Sequence, residues 1–371
     1  MIFYCQKSDI LNAFLDCSKA ISPRTTMEIL ECFYIEASND EVRITGNNME
    51  LGIKKTIPAK VEEAGIVCIN NKMITEIIRK SQDEMIRIAI DDSYQCSVTY
   101  GKSKAVISGR SGEDYPVLTE IDKTNCVKIS KMGLKNIISQ TIFAISDNET
   151  TKVLTGEHFE INEDELTVSA CDGHRIAIRK IKLKESYPRY DIVIPGKSLL
   201  EVNRLIPGDA DSDVSIYITS NSIMFEYDNT IVLSRLIDAK YLSINQMISN
   251  DYETKIVVNK KMLFESLDRS TLFVRESEKK PIIFNIYDER MAIKMNTTIG
   301  SYDDELDIER EGKGIMIGFN PKFFIDVIRA IDDDEEITIY MTNAKSPCFI
   351  RNAEGTYNYL VLPVQFNSSA N

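Results

Sequence analysis

Histidine is nearly missing: the 371-residue chain has two, His158 and His174. Eight cysteines, at positions 5, 17, 32, 68, 96, 126, 171 and 348, include no C-x-x-C pair. A zinc or dithiol redox centre therefore has no ligand set, and the thiols read as reduced, small core residues of a cytosolic protein. No run of eighteen apolar residues exists to form a membrane span. The opening MIFYCQKSDILNAF has an acid at residue 9 and no basic leader, so it does not read as a signal peptide. The expectations are a cytoplasmic location, no membrane partner, no metal and no cofactor. Positive charge is also short: the net charge of −13 argues against a surface uniformly coated for nucleic acid. It leaves open positive charge confined to one face.

What is present is a repeat. KSDILNAFLDCSKAIS (7–22), KMGLKNIISQTIFAIS (131–146) and KKMLFESLDRSTLFVR (260–275) each open on a lysine, Lys7, Lys131 or Lys260. Apolar residues stand three and seven positions on: Ile10 and Phe14, Leu134 and Ile138, Leu263 and Leu267. That spacing predicts one buried helix face. A second helix, KMITEIIR (72–79), KSLLEVNR (197–204) and KFFIDVIR (322–329), reads Lys, three residues, acid, two residues, Arg each time, and its starts lie 125 residues apart. Asp40-Glu41, Asp164-Glu165 and Asp288-Glu289 predict turns entering strands. MIRIAI, VSIYITSNSIMFEY and EITIYMTN alternate as antiparallel strands do. The fold class is α+β: three copies of one domain, antiparallel sheet plus two helices each, at about 1–122, 123–249 and 250–371. No Pro/Gly/Ser-rich linker separates them, which predicts rigid docking, and the tail NSSAN is expected to fray.

Counted over 7–24, 72–80, 131–145, 197–204, 260–275 and 322–329, the six repeated helices sum to +9, which against a whole-chain −13 leaves −22 for everything else. A solvated helix face with internal ion pairs accounts for one such helix. Six of them, with the opposite sign elsewhere, predict a basic concave surface for phosphates. Its candidate contacts are Lys72, Arg79, Lys80, Lys197, Arg204, Lys322 and Arg329. No helix-turn-helix, zinc-finger or RNP signature reads bases, so contact is expected to be loose and independent of sequence.

Chemical motifs fail on inspection. YGKS (100–103) and PGKS (195–198) imitate a phosphate loop, but the glycine needed five residues earlier is Cys96 or Asp191. SACDGHRIA (169–177) places Asp172 and His174 two apart around Gly173. General acid/base work needs a second titrating partner and a pocket. The matching stretches, NNME (47–50) and the one beginning near Met295, lack histidine. Catalysis, a structural Asp-Gly turn and a binding surface specific to the second repeat all stay open at this point. So does a monomeric protein-binding scaffold.

GNNMEL (46–51), GEDYPVL (112–118), VLTGEHFE (153–160), CDGHRIA (171–177), SRLIDAKY (234–241), GFNPKFFIDVI (318–328) and YLVLPVQF (359–366) together resemble the bacterial replicative sliding clamp family, the β subunit of DNA polymerase III. The resemblance is near end-to-end. It implies a non-catalytic DNA clamp fold that assembles head to tail as a homodimer. The six-domain ring would encircle double-stranded DNA and tether replicative polymerase, clamp loader and other proteins with clamp-binding motifs. It also implies a partner-peptide pocket between domains two and three at Leu154, Cys171, Gly173, His174, Arg175 and Ile176, then Leu242, Gln246 and Met247. Asn320, Phe323, Leu360, Val361, Leu362, Pro363 and Val364 complete it. Leu242 and Gln246 depart from the proline and arginine often found there. Arg24 and the loop SDNETTK, through Asn148 and Lys152, are implied DNA contacts. The implied dimer seam sets Lys102 and Lys104 against Asp303, Asp304 and Glu305, with Leu272 and Phe273 as apolar packing.

Overall fold

A computed structural model describes residues 1–116, 118–119, 121–208, 212–274, 280–332 and 334–366. The tail expected to fray lies outside the described residues. All six expected helices form: α1 Lys7–Cys17, α2 Asn71–Lys80, α3 Lys131–Ser139, α4 Gly196–Leu205, α5 Lys260–Thr271 and α6 Pro321–Ala330. The paired apolar positions of α1, α3 and α5 are all fully buried, each worth roughly 1.5–3 kcal/mol over exposure. Phe14 also stacks on Phe33, ring centroids 4.7 Å apart. Asparagine side chains start three helices: Asn70 accepts from Met73 N, Asn259 from Met262 N and Asn320 from Lys322 N. Each cap satisfies one otherwise orphaned amide.

The lysines that open α1, α3 and α5 correct the charge reading. Lys7 Nζ donates to the carbonyl of Ser81, the residue just past α2. Lys260 Nζ donates at 2.7 Å to Ile331, just past α6. A lysine there meets the negative end of the helix dipole as well as an orphan carbonyl. Lys131 is 2% exposed and bonds Asp228 at 2.7 Å. These three charges hold the fold together and do not belong to a phosphate-facing surface.

Between the helices, element order repeats three times: a strand, a helix, a group of strands, a helix, and three more strands. Positive φ at Asp40, Glu163 and Asp288 marks the expected turns, the second lying one residue before its predicted place. There the strand Gly156–Cys171 is continuous but changes register. Its first part, from Gly156 to Ile161, pairs with residues 190–195 and its second, from Glu165, with residues 176–182.

The chain forms two compact units, and the middle repeat contributes to both. The unit of Met1–Lys131 and Glu201–Leu236 contains one thirteen-stranded sheet. Repeats one and two join in it, because Thr230–Arg235 pairs antiparallel with Leu51–Pro58, Val232 opposite Ile53. The unit of Met132–Leu200 and Ile237–Asn371 contains a seven-stranded and a four-stranded sheet. Repeats two and three join in it through Arg175–Pro195 and Tyr357–Val361, Ala177 opposite Tyr359. Seven of the eight cysteines are buried and all are free. Burial pushes the Cys5, Cys17, Cys68 and Cys96 thiols up to about 12, so the reactive thiolate is suppressed.

Candidate functional site

The Asp-Gly-His stretch is a tight turn closed by its own aspartate. Asp172 Oδ1 accepts from the amides of His174 at 2.8 Å and Arg175 at 2.9 Å. Gly173 has φ +88, while a Cβ there would meet nothing within 4 Å. The backbone conformation, not lack of space, is therefore what favours glycine here. Asp172 Oδ2 accepts from Arg175 Nε at 2.9 Å, so both carboxylate oxygens are engaged in structure. The exposed His174 ring lies against Phe323, centroids 6.1 Å apart. Its carbonyl accepts from Leu362 N at 2.9 Å, which fixes the C-terminal strand beside the turn. The geometry pairs His174 with an aromatic ring, whereas proton transfer would need an acid or a base.

Beside the turn, a buried apolar floor is formed by Cys171, Ile176, Ile237, Tyr241, Ile244, Phe349 and Leu360. Leu154, Ile248 and Leu362 pack half-buried upon it. Leu242 (39% exposed) and Met247 (46%) extend this surface into solvent. Gln246 is exposed on the short 3-10 turn Ile244–Met247. Pro363 and Val364 are half-buried, with Val364 N donating to Gly318 O at 2.8 Å. A cavity of about 480 Å³ opens where His174, Arg175, Phe143, Ile145, Leu200 and Phe323 meet, within the range that accommodates small ligands and peptide side chains.

Three implied pocket residues have other duties. Val361 is fully buried in the core that contains Ile256, Phe284 and Phe319, whereas its neighbours Leu360 and Leu362 join the pocket floor. Alternation along a strand separates them, so Val361 is removed from the pocket wall. The Asn320 carbonyl oxygen caps α6. Arg175 is half-buried among carboxylates and rings. Sequence reading missed Tyr241 and His158, whose rings stack at 5.0 Å, with His158 Nε2 2.8 Å from Asp191 Oδ1.

The ten candidate DNA contacts are all exposed. Arg79 pairs with Glu76, Arg204 with Glu201 at 2.6 Å, and Lys197 with Glu149 at 3.1 Å. Asn148 Oδ1 accepts from Thr150 N at 2.9 Å and starts the 3-10 segment that presents Lys152.

Comparison with known proteins accounts for nearly the whole chain. The N-terminal domain of the DNA polymerase III beta subunit matches residues 1–119, its central domain 128–242 and its C-terminal domain 245–365. The chain belongs to the DNA polymerase III beta subunit family. The beta sliding clamp of Staphylococcus epidermidis is 32% identical over 375 aligned positions, covering 98% of this chain and 99% of that protein. A crystal structure from Eubacterium rectale, provisionally assigned as a DNA polymerase III beta subunit, is 47% identical with a TM-score of 0.96. That alignment covers 99% of this chain and 100% of that one. The DNA polymerase sliding clamp of Bacillus subtilis is 31% identical at the same TM-score and coverage. This family membership gives the fold its class: α+β, built of clamp domains.

Within the family frame, five of the implied seam residues lie at two sheet edges, while Leu272 and Phe273 follow the end of α5. Lys102, in the turn before it, and Lys104 are exposed at the start of Ser103–Arg110, a strand whose second neighbour reaches only Gly109 and Arg110. Asp303, Asp304 and Glu305 lie on Ser301–Asp307, the outermost strand of the four-stranded sheet. These acids already have partners in their own chain: Lys294 at 3.0 Å, Arg269 at 2.7 Å and Arg290. Burial raises the Asp304 carboxyl, but hydrogen bonds from Arg269, Ser266 and Tyr302 outweigh it and hold it at about 2. Leu272 is 78% exposed, whereas Phe273 packs on Tyr302 in its own core.

Proposed function

We propose that this chain is a sliding clamp, a processivity factor without catalysis of its own. Two copies join head to tail as a ring of six domains around duplex DNA. The three domains of each copy keep to the repeat at about 1–122, 123–249 and 250–371. Membership of the family from end to end carries the reading. Three features add support: the exposed basic residues on α2, α4 and α6, the acidic balance elsewhere, and two free sheet edges of opposite charge that a second copy would close. Basic side chains that meet phosphates and no base edges permit sliding, and their contribution falls as salt rises.

On this reading the apolar floor beside the Asp-Gly turn takes a short peptide with apolar anchors, from replicative polymerase, clamp loader or another partner. The rings of His174 and Phe323 receive one anchor, and Leu154, Leu242, Met247 and Leu362 receive another. Enclosure then holds the polymerase at high effective concentration near its template. The protein works in the cytoplasm and needs no metal or cofactor.

The test is topological. The protein is loaded by a matched clamp loader onto nicked circular duplex, isolated by gel filtration, and the circle is then cut. Retention on the circle and loss after linearisation are expected. Equal retention on both forms rejects enclosure.

A further inference from the structure

The repeated helix motif departs from its own pattern in one place. In α2 Glu76 accepts from Arg79, and in α4 Glu201 accepts from Arg204, so each acid serves its own helix. In α6 the acid is Asp326, and its Oδ2 accepts from Arg175 Nη1 at 2.6 Å, across 151 residues of chain. Arg329, the motif's own arginine, instead lies over the Phe264 ring at 5.4 Å.

Arg175 is held from several sides while still bordering the cavity. Its side chain is 11% exposed; Nε donates to Asp172 at 2.9 Å and Nη2 to the Phe143 carbonyl at 2.5 Å. The guanidinium lies over Phe323 at 4.6 Å and over Phe143 at 5.1 Å. With two carboxylates, a carbonyl and two ring contacts, it has little left to offer a ligand. What it does is connect the turn that presents His174 to the helix that presents Phe323. The planar fork suits this, because its N–H groups point in fixed directions that a lysine ammonium cannot reproduce.

We infer that Asp326 is a positioning residue of the peptide pocket: acting through Arg175, it holds the His174 turn in register with Phe323. The inference rests on the pocket reading proposed above. Without the Asp326 carboxylate, Arg175 keeps Asp172 but loses its charged tie to α6, and the two rings are no longer fixed relative to each other. Apparent affinity scales with the fraction of molecules in the binding arrangement. If that fraction falls to about a tenth, the dissociation constant rises about tenfold.

The experiment uses the full-length protein and a fluorescently labelled synthetic peptide with leucine and phenylalanine anchors, drawn from the replicative polymerase of the same organism. Asp326→Asn and Arg175→Lys are each expected to bind it about tenfold more weakly, and Asp326→Glu to recover most of the loss. With only His158 and His174 in the chain, imidazole C–H NMR signals separate positioning from general damage. The His174 signal, set by the nearby Phe323 ring, should move in Asp326→Asn while His158 stays in place. Leu362→Asp is the control for the pocket itself. If Leu362→Asp abolishes binding while Asp326→Asn binds as the wild type or leaves His174 unmoved, the positioning role is overturned. If Leu362→Asp also binds normally, the pocket reading fails, and this inference falls with it.

Discussion

Glu157 offers a quantitative check on the middle of the fold. It is fully buried, and its Oε1 lies 2.6 Å from Thr141 Oγ1. The same hydroxyl lies 2.7 Å from the Ile137 carbonyl oxygen, one helical turn back. A hydroxyl has one proton. That proton is shared between the Ile137 carbonyl and Glu157, so the hydroxyl gives the carboxylate only part of a hydrogen bond, too little to offset burial, and the neutral acid is favoured. Its Oε2 has no hydrogen-bond partner among the described residues, an arrangement that costs an ionised carboxylate more than a neutral acid. Burial accordingly pushes this carboxyl well above its usual range, with the Thr141 hydrogen bond opposing only in part. The folded value is raised, so the stabilisation is complete below the unfolded value, near 4.3. As pH climbs from there to the folded value, the unfolded chain releases a proton that the folded one keeps. Stability then falls by about 1.4 kcal/mol per pH unit. Glu157→Gln keeps shape and a hydrogen-bond donor but cannot ionise. Urea unfolding of both proteins at pH 5, 6, 7 and 8 isolates the effect, because every other titrating group cancels in the difference. The variant should gain on the wild type by about that slope as pH rises, until the folded value is passed. A difference that stays flat from pH 5 upward refutes the neutral-acid assignment.

Two further outcomes bear on assembly and pocket. Leu272→Asp introduces a charge at a side chain that has almost no contacts in its own chain, so the fold should survive. Sedimentation should then shift from a dimer near 84 kDa, twice 42.1 kDa, to the monomer; an unchanged dimer removes Leu272 from the seam. Val361→Ala should cost about 2 kcal/mol through lost burial and a residual cavity, with peptide affinity unchanged. Leu362→Ala should do the reverse, and equal effects on affinity would mean the alternation of this strand has been misassigned.

The helices were legible because a 3.6-residue period is written within one segment: Ile10 with Phe14, Leu134 with Ile138. The destinations of their opening lysines were not. Lys7 and Lys260 find their acceptors at Ser81 and Ile331, about seventy residues on, and no local pattern distinguishes such a lysine from one in water. Asp326 was hidden in the same way, since its spacing within the helix equals that of Glu76 and Glu201. Val361 is different. A strand's period of two already implied that Leu360, Val361 and Leu362 could not all face one side. Resemblance supplied the whole run as a wall, and the alternation separates it.

The turn itself shows how a site arises on a repeated scaffold. In repeat one, Asn48 Oδ1 accepts from the amides two and three residues on, Glu50 at 3.0 Å and Leu51 at 2.8 Å, with Met49 at φ +74 between them. Asp172 does the same for His174 and Arg175, with Gly173 at φ +88 between. In repeat three, Thr297 accepts from Ile299 N at 3.2 Å. The bend therefore belongs to the fold and recurs without regard to ligands, which is why the acid in Asp-Gly-His need not be chemical. The repeats differ in the two residues that leave the bend: Glu50 and Leu51 in the first, Ile299 and Gly300 in the third, His174 and Arg175 in the second. Only the second places a guanidinium where it can reach the acid of another repeat's helix. A turn present for structural reasons thereby acquires, through two side chains, an aromatic contact and the strut that aims it.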